Sequence, residues 1–286
     1  MAAQSSGLNS AEEVRAAVES ALGKSLREAR VDSAGMGARN SLWRIRGAGY
    51  DWMARIAHDR PNLHLVVAQE YAAQSAAAAA GMAPEVILAR PEQHLLVMGF
   101  VPAALWSAAD VRRRISHLAS RLRALHALAP PPTLSPFNLL DGVSDLVARA
   151  LSIGATGLDG EHLRSKVATL AERYQPVQSP VFCHNDLHHL NMLGERPLFI
   201  DWEYAAVGDP HMDLAAVATY HDFDVRQRTE LLRRYGGRSS VADFDVVCAL
   251  FDALHVAWLV VAGVWDDTPM TRRATLLARV GLVSHG

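Results

Sequence analysis

The stretch VFCHNDLHHLNMLGERPLFIDWEYAAVGD, residues 181–209, decides how this chain folds and what it can do. It sets Asp186 in His184-Asn185-Asp186, then Asn191 five residues on, then Asp201 ten residues after Asn191. The segment reads as loop, strand, turn and strand, so polar side chains sit on a loop and a short hairpin flanked by apolar strand residues. One amide and two carboxylates make an oxygen-only donor set. Hard divalent cations such as magnesium favour oxygen ligands and complete their shell with phosphates. Phosphoryl transfer to a hydroxyl needs the same inventory: a carboxylate to orient the nucleophile, and an amide with a second carboxylate to hold metal against phosphates.

Working outward, 286 residues suffice to bury a full core and to split into two lobes. Half the residues are hydrophobic and 20% are charged, the balance of a globular chain and not a disordered one. The formal net charge of -2 gives no electrostatic case for nucleic acid. Arg112-Arg113-Arg114 and Arg233-Arg234 read as solvated helix faces. Two cysteines, Cys183 and Cys248, imply no disulfide framework and fit a reducing cytoplasm. The opening MAAQSSGLNS lacks a basic region followed by an apolar run, so no secretory signal is expected there. Val246–Trp265 is long and apolar enough to imitate a membrane span, but Asp252 and His255 interrupt it. A buried helix of the larger lobe is the expectation, and no membrane partner.

The first hundred residues read as strand-rich. Ser10-Ala-Glu-Glu13 is a capping box that starts a helix running to Leu22. Strands are expected at 26–33, 41–46 and 51–57, the last two joined through Gly47-Ala-Gly49. An Ala-rich helix over 63–80 stops at Gly81, and strands follow at 85–88 and 94–98. Beyond residue 100 the pattern turns helical. Ser107 and Asp110 cap one helix whose stripe is Val111, Ile115, Leu118, Leu122 and Leu125. Further helices are expected near 140–152, 160–174, 211–220, 224–235, 241–264 and 270–283.

A strand-rich lobe over 1–100, a hinge near 99–103 and a helical lobe over 101–286 carrying H-x-D-x4-N and then I-D resemble the protein-kinase-like fold, an α+β class. The finer match lies in His184-Asn-Asp186-Leu, Ile200-Asp201-Trp-Glu-Tyr-Ala205 and Gly208-Asp209-Pro with Asp213-Leu-Ala. Together these resemble the aminoglycoside phosphotransferase and choline kinase family. The I-D-W-E-Y-A form is most like its bacterial choline kinase and thiamine kinase members. Protein kinases carry their metal-binding Asp in D-F-G with A-P-E downstream; D-W-E here, without A-P-E, argues against a protein substrate.

The resemblance implies roles position by position. Asp186 orients the substrate hydroxyl and accepts its proton, while Asn191 and Asp201 bind magnesium. Gly35-Met-Gly37-Ala-Arg-Asn40-Ser41 falls where the family covers the ATP phosphates. Arg55 occupies the strand position of the usual Lys, with Glu70 on the following helix as its partner. Met98, Phe100 and Val101 belong to the hinge that reads adenine, and Leu193 and Ile200 line the floor. Candidates for the acceptor side are Trp202, Glu203, Tyr204, Tyr220, Trp258 and Trp265, the last two seven apart and expected on one face of one helix.

Blander readings stand beside these. His184 is expected to shape the loop through the backbone, His126 to be a satisfied core histidine, and Asp213 to support the loop without touching metal. His188 and His189 could suggest zinc, but no Cys/His partner motif accompanies them, and exposed loop histidines are the simpler reading. Arg55 and Glu70 could form a plain surface pair. The expectation is an ATP- and magnesium-dependent kinase of a small-molecule alcohol, a cationic amino alcohol first. Aminoglycosides or amino sugars, or a regulatory pseudokinase, remain open.

Overall fold

In the structure, a computed structural model, residue 8 and residues 10–36, 40–58, 66–236 and 239–282 are described. The chain divides into two units: Met1–Leu105 with Pro131–Leu134 and Asn191–Tyr204, and Trp106–Pro130 with Ser135–Leu190 and Ala205–Gly286. Residues 101–105, 131–134 and 191–204 thus cluster with the first unit, although a cut at residue 100 assigns them to the second.

The first unit opens with helix α1 (Ala11–Leu22), whose Ser10 and Glu13 form the expected reciprocal cap. Five antiparallel strands follow: β1 (Arg30–Met36), β2 (Asn40–Gly47), β3 (Tyr50–Ala57), β4 (Val86–Arg90) and β5 (Leu95–Gly99), in the order β1-β2-β3-β5-β4. β1 begins later than expected because Leu26 and Ala29 are buried in a turn closed by Ala29 N–H donating to Leu26 C=O. Gly49, at φ +82, closes the β2–β3 hairpin in a conformation that glycine adopts without a Cβ penalty. Helix α2 (Val67–Ala79) is shorter than the alanine run suggests, and residues 59–65 before it lie outside the described residues.

Strand alternation gives the sheet two unlike faces. Ile45, Ala54, Ile56, Leu95 and Val97 share a fully buried core with Val14 and Val18 of α1. On the other face Leu42 pairs with Arg55 and Met53 with Met98. Arg55 lies between Ala54 and Ile56 in sequence, so it must point away from that core. A small hairpin, β7 (Met192–Leu193) and β8 (Leu198–Phe199), completes this unit; Phe199 N–H donates to Met82 C=O at 2.7 Å.

The second unit is helical, with one short ribbon of β6 (Val181–Cys183) against β9 (Ala206–Gly208). The helix expected from Ser107 is two: α3 (Ala108–Arg113) and α4 (Ile115–His126). Arg114 breaks them at φ -113, ψ 29, with its guanidinium over the Trp106 ring. The apolar stripe survives the break, and Val111, Ile115, Leu118, Leu122 and Leu125 are all buried. Next come α5 (Leu139–Ile153), α6 (Gly160–Arg173), α7 (Pro210–Tyr220), α8 (Val225–Tyr235), α9 (Val241–Val261) and α10 (Met270–Val280). Among the described helices α9 alone is long and apolar enough to cross a membrane, and 72% of its most apolar window is buried within the protein. Its 21 residues pack against α5, α6, α7, α8 and α10.

Candidate active site

In the first unit the Arg55 face of the sheet opens onto a cavity of about 620 Å³, within the range of small-molecule sites. Its walls bring together Asn40, Arg55, Met98, Phe100, Val101, Asn191, Leu193, Ile200 and Asp201, nine residues the sequence singles out. Gly99 and Ala103 of the expected hinge segment join them, as do Leu42, Met53, Gln74, Pro84 and Leu105, which the sequence did not mark. Period-two alternation from Arg55 could have found Leu42 and Met53, which pair with or flank it on one face. Phe100 is fixed from outside the cavity: its N–H donates to Asp51 C=O, and Asp51 grips Arg44, whose guanidinium lies 3.6 Å over the Phe100 ring.

Arg55 is the pivot of the polar end. It forms an ion pair with Glu70, both side chains under 10% exposed, and its Nη2 lies 3.2 Å from Asp201 Oδ1. The surface-pair reading is therefore wrong: Glu70 lies on the buried face of α2 with Tyr71, Ala73, Gln74 and Ala77. Asp201 adopts φ +65, a left-handed conformation uncommon for a residue with a Cβ. Ile200 N–H donates to Asn191 C=O at 3.1 Å, which ties the two oxygen-bearing residues through one backbone bond.

Of the four other cofactor candidates, three do not line the cavity and one is not described. Gly37 falls outside the described residues, and Gly35, though exposed in β1, does not line the cavity. Ser41 is buried with its Oγ 2.9 Å from His58 Nε2, and Glu70 stands behind Arg55.

In the second unit, the loop after β6 carries Asp186. Asp213, fully buried on α7, accepts hydrogen bonds from His184 N–H at 2.9 Å and Asn185 N–H at 2.6 Å. Burial pushes its carboxyl up, but the hydrogen bond and charge of His126 outweigh that and hold it below the usual range. His126 bridges Asp213, at 3.0 Å, and the Tyr235 hydroxyl, at 2.8 Å, and is the satisfied core histidine expected. His184 is fully buried, and its Nδ1 accepts the Asp186 N–H at 3.4 Å, so it shapes the loop through the backbone. Asn185 takes the strained step of the loop at φ +66.

Rings crowd Asp186. Tyr220, at the end of α7, donates its hydroxyl to Asp186 Oδ1 at 2.9 Å. The Tyr220 ring meets Phe251, His255 and His188 edge-on at centroid distances of 5.4, 5.1 and 5.4 Å. Burial holds the His255 imidazole down at about 3, and His221 at about 4 despite a raising bond to Val217 C=O. His188 and His189 are half-buried and not the exposed pair expected. His188 Nε2 lies 3.7 Å from Asp186 Oδ2, and His189 Nδ1 lies 3.3 Å from His221 Nε2. In sequence His255 showed only as a polar interruption of an apolar helix.

The remaining acceptor candidates scatter. Trp258 is half-buried on α9, whereas Trp265 lies past its end at Val261, so the two share no helix face. Trp265 is core: its indole N–H donates to Thr156 C=O at 3.1 Å. Trp202 is fully buried and donates to Phe199 C=O, while Glu203 and Tyr204 are half-buried within the first unit.

A strand-rich unit whose sheet face presents Arg55, backed by Glu70, to a cavity of small-molecule size, with an H-x-D loop in a helical unit, defines the kinase-like class. The chain belongs to the phosphotransferase enzyme family, whose sequence pattern it matches over residues 30–250. Its fold is shared with the crystal structure of a choline/ethanolamine kinase family protein from Mesorhizobium loti, at TM-score 0.72 and 24% identity over 95% of this chain and 92% of that one. Choline kinase LicA from Streptococcus pneumoniae superposes at TM-score 0.74 with 17% identity, covering 95% and 99% of the two chains. A LicA structure in complex with AMP gives 0.75 with 18% identity over 96% and 99%. A protein LicA homolog from Metamycoplasma hominis is 35% identical over 78 residues, which span 27% of this chain and 31% of that relative.

Proposed function

We propose that the chain transfers the γ-phosphoryl group of ATP to the hydroxyl of a small cationic amino alcohol of the choline, ethanolamine or thiamine kind. The observation that carries this reading is the gathering of Arg55, Asn191 and Asp201 on one apolar-walled cavity. Its walls suit a purine, and the AMP bound to a fold neighbour supports an adenine nucleotide. Asn191 and Asp201 offer hard oxygen donors, which fits magnesium. When bound, magnesium supplies neutralisation of phosphate charge. Arg55 adds a fixed guanidinium for the same charge, held in place by Glu70.

Asp186 holds the acceptor. Its carboxylate orients the hydroxyl and takes its proton as the hydroxyl oxygen bonds to the γ-phosphorus and the bond to ADP breaks. Most of the rate comes from positioning and charge stabilisation, since little covalent chemistry falls to the protein. The Tyr220 ring beside the Asp186 carboxylate favours a cation, because an aromatic face adds roughly 0.5–2 kcal/mol depending on desolvation. A reducing cytoplasmic setting belongs to the proposal, with Cys183 and Cys248 both buried thiols.

ADP release from Mg-ATP is the test, with choline, ethanolamine, thiamine, aminoglycosides, amino sugars and a no-acceptor control. We expect one amino alcohol to stimulate release strongly, and Asp186→Asn to abolish it with nucleotide affinity retained. Stimulation by an aminoglycoside alone would replace the acceptor class, and a flat panel would remove the kinase reading.

A further inference from the structure

We propose that Tyr220 is a positioning residue for Asp186, and that helix α7 is the template that sets both the backbone and the carboxylate of the H-x-D loop. The proposal rests on the reading of Asp186 as the base.

Asp213 and Tyr220 are seven residues apart on α7, so they project from one side of the helix. Asp213, in the first turn, takes the backbone N–H groups of His184 and Asn185. Tyr220, in the last, takes the side chain of the next residue, donating to Asp186 Oδ1 at 2.9 Å. A rigid helix thus contacts three consecutive loop residues at two levels. Asp209 caps the same helix: its Oδ1 accepts His211 N–H, and Tyr174 donates to its Oδ2, so the template is itself anchored at the N-terminus.

The phenol does two things that a plain packing residue does not. It fixes the plane of the carboxylate about the Cβ–Cγ bond. It also donates to the charged form, which favours the carboxylate over the acid. Tyr220 is held for this task by Phe251 and His255 of α9 and by His188 of the loop. His184 and His188 from the loop and His255 from α9 face the Tyr220–Asp186 pair, and Arg272 and Arg279 of α10 lie close enough to act on His255. The buried, neutral His255 places no positive charge against the phenol.

Tyr220→Phe keeps the ring contacts and removes only the donor. With the acceptor that the ADP-release panel selects, kcat should fall about 10- to 100-fold, the scale of one hydrogen bond to a charged group. KM for ATP should stay unchanged. The acid limb of kcat against pH should move to higher pH, because Asp186 loses a donor that favours its charged form. Tyr220→Phe added to Asp186→Asn should cost nothing further. A Tyr220→Phe enzyme with unchanged kcat and acid limb, beside an inactive Asp186→Asn, would overturn the proposal and leave Asp186 standing. A fall in kcat without movement of the limb would make Tyr220 merely structural, which also overturns it. Turnover retained in Asp186→Asn, or a flat panel, would remove the reading beneath and the proposal with it. Nucleotide-induced thermal shifts in each variant report that the chain is folded.

Discussion

The Nη2 of Arg55 lies 3.2 Å from Oδ1 of Asp201, while Nη1 of the same guanidinium is paired with Glu70 Oε1. One buried cation therefore serves two carboxylates of different origin, one on the helix behind the sheet and one on the hairpin after Asn191. The planar fork is what permits this sharing, and a lysine ammonium has no second edge in a fixed direction. The arrangement explains why the strand position usually held by Lys can carry Arg without loss of the ion pair.

Arg55→Lys should keep most of the stability and lower kcat/KM for ATP by about tenfold or more, because one of the two carboxylates loses its partner. Arg55→Ala should cost about 3–5 kcal/mol, since Glu70 is left as an uncompensated buried charge. Replacing both members, Arg55→Met with Glu70→Leu, should restore much of that stability and none of the turnover. Urea denaturation and steady-state kinetics on the three proteins separate the two effects. A double variant as active as wild type would sink the role of Arg55.

Much of this site is legible in the sequence because its residues carry chemistry at fixed spacing. Asp186, Asn191 and Asp201 stand out as polar residues among apolar ones, and the capping boxes at Ser10 and Ser107 announce their helices. Other parts rest on relationships that no local pattern encodes. The break at Arg114 leaves the apolar stripe intact, so periodicity passes straight through it. Trp265 keeps helical spacing with Trp258 although α9 has already ended at Val261. The ring cluster around Tyr220 draws on residues 188, 251 and 255, which meet it only once α7 and α9 pack. Burial of Glu70 depends on which face of α2 packs inward, which propensity alone does not report.

Stability should fall on acidification below about pH 6.5, and His255 should account for part of it. Burial holds its folded value at about 3, so the native state refuses a proton that the unfolded chain binds below its ordinary 6.5. The neutral ring's contribution is complete above 6.5 and is lost as pH falls from there toward 3, by up to about 1.4 kcal/mol per pH unit. Asp252, buried and raised to about 6, works in the opposite sense between about 4 and 6, so wild type and variant must be compared by difference. His255→Phe keeps a ring against Tyr220 and cannot titrate. Between pH 7.5 and pH 5.0, its urea-derived loss of stability should be smaller than that of wild type by about 1–2 kcal/mol. Equal losses in the two proteins would show that His255 does not carry the effect.

Asp201 should act on the nucleotide through metal and not through the base. It lines the cavity beside Arg55 in a left-handed backbone conformation, which the hairpin holds through the bond from Ile200 N–H to Asn191 C=O. Its carboxylate is repelled by bare phosphates and attracted to them only across a cation, so removing it has opposite consequences in the two cases. Asp201→Ala should weaken Mg-ATP binding about tenfold or more, yet leave metal-free ATP binding equal to wild type or slightly tighter, since Arg55 is then released wholly to phosphate and Glu70. Asp201→Asn should fall between, because the amide keeps an oxygen donor without the charge. Calorimetric titration with and without magnesium reads both affinities on the same protein. Equal losses in the two titrations would count against a metal-binding role and would leave Asp201 as a partner of Arg55 alone.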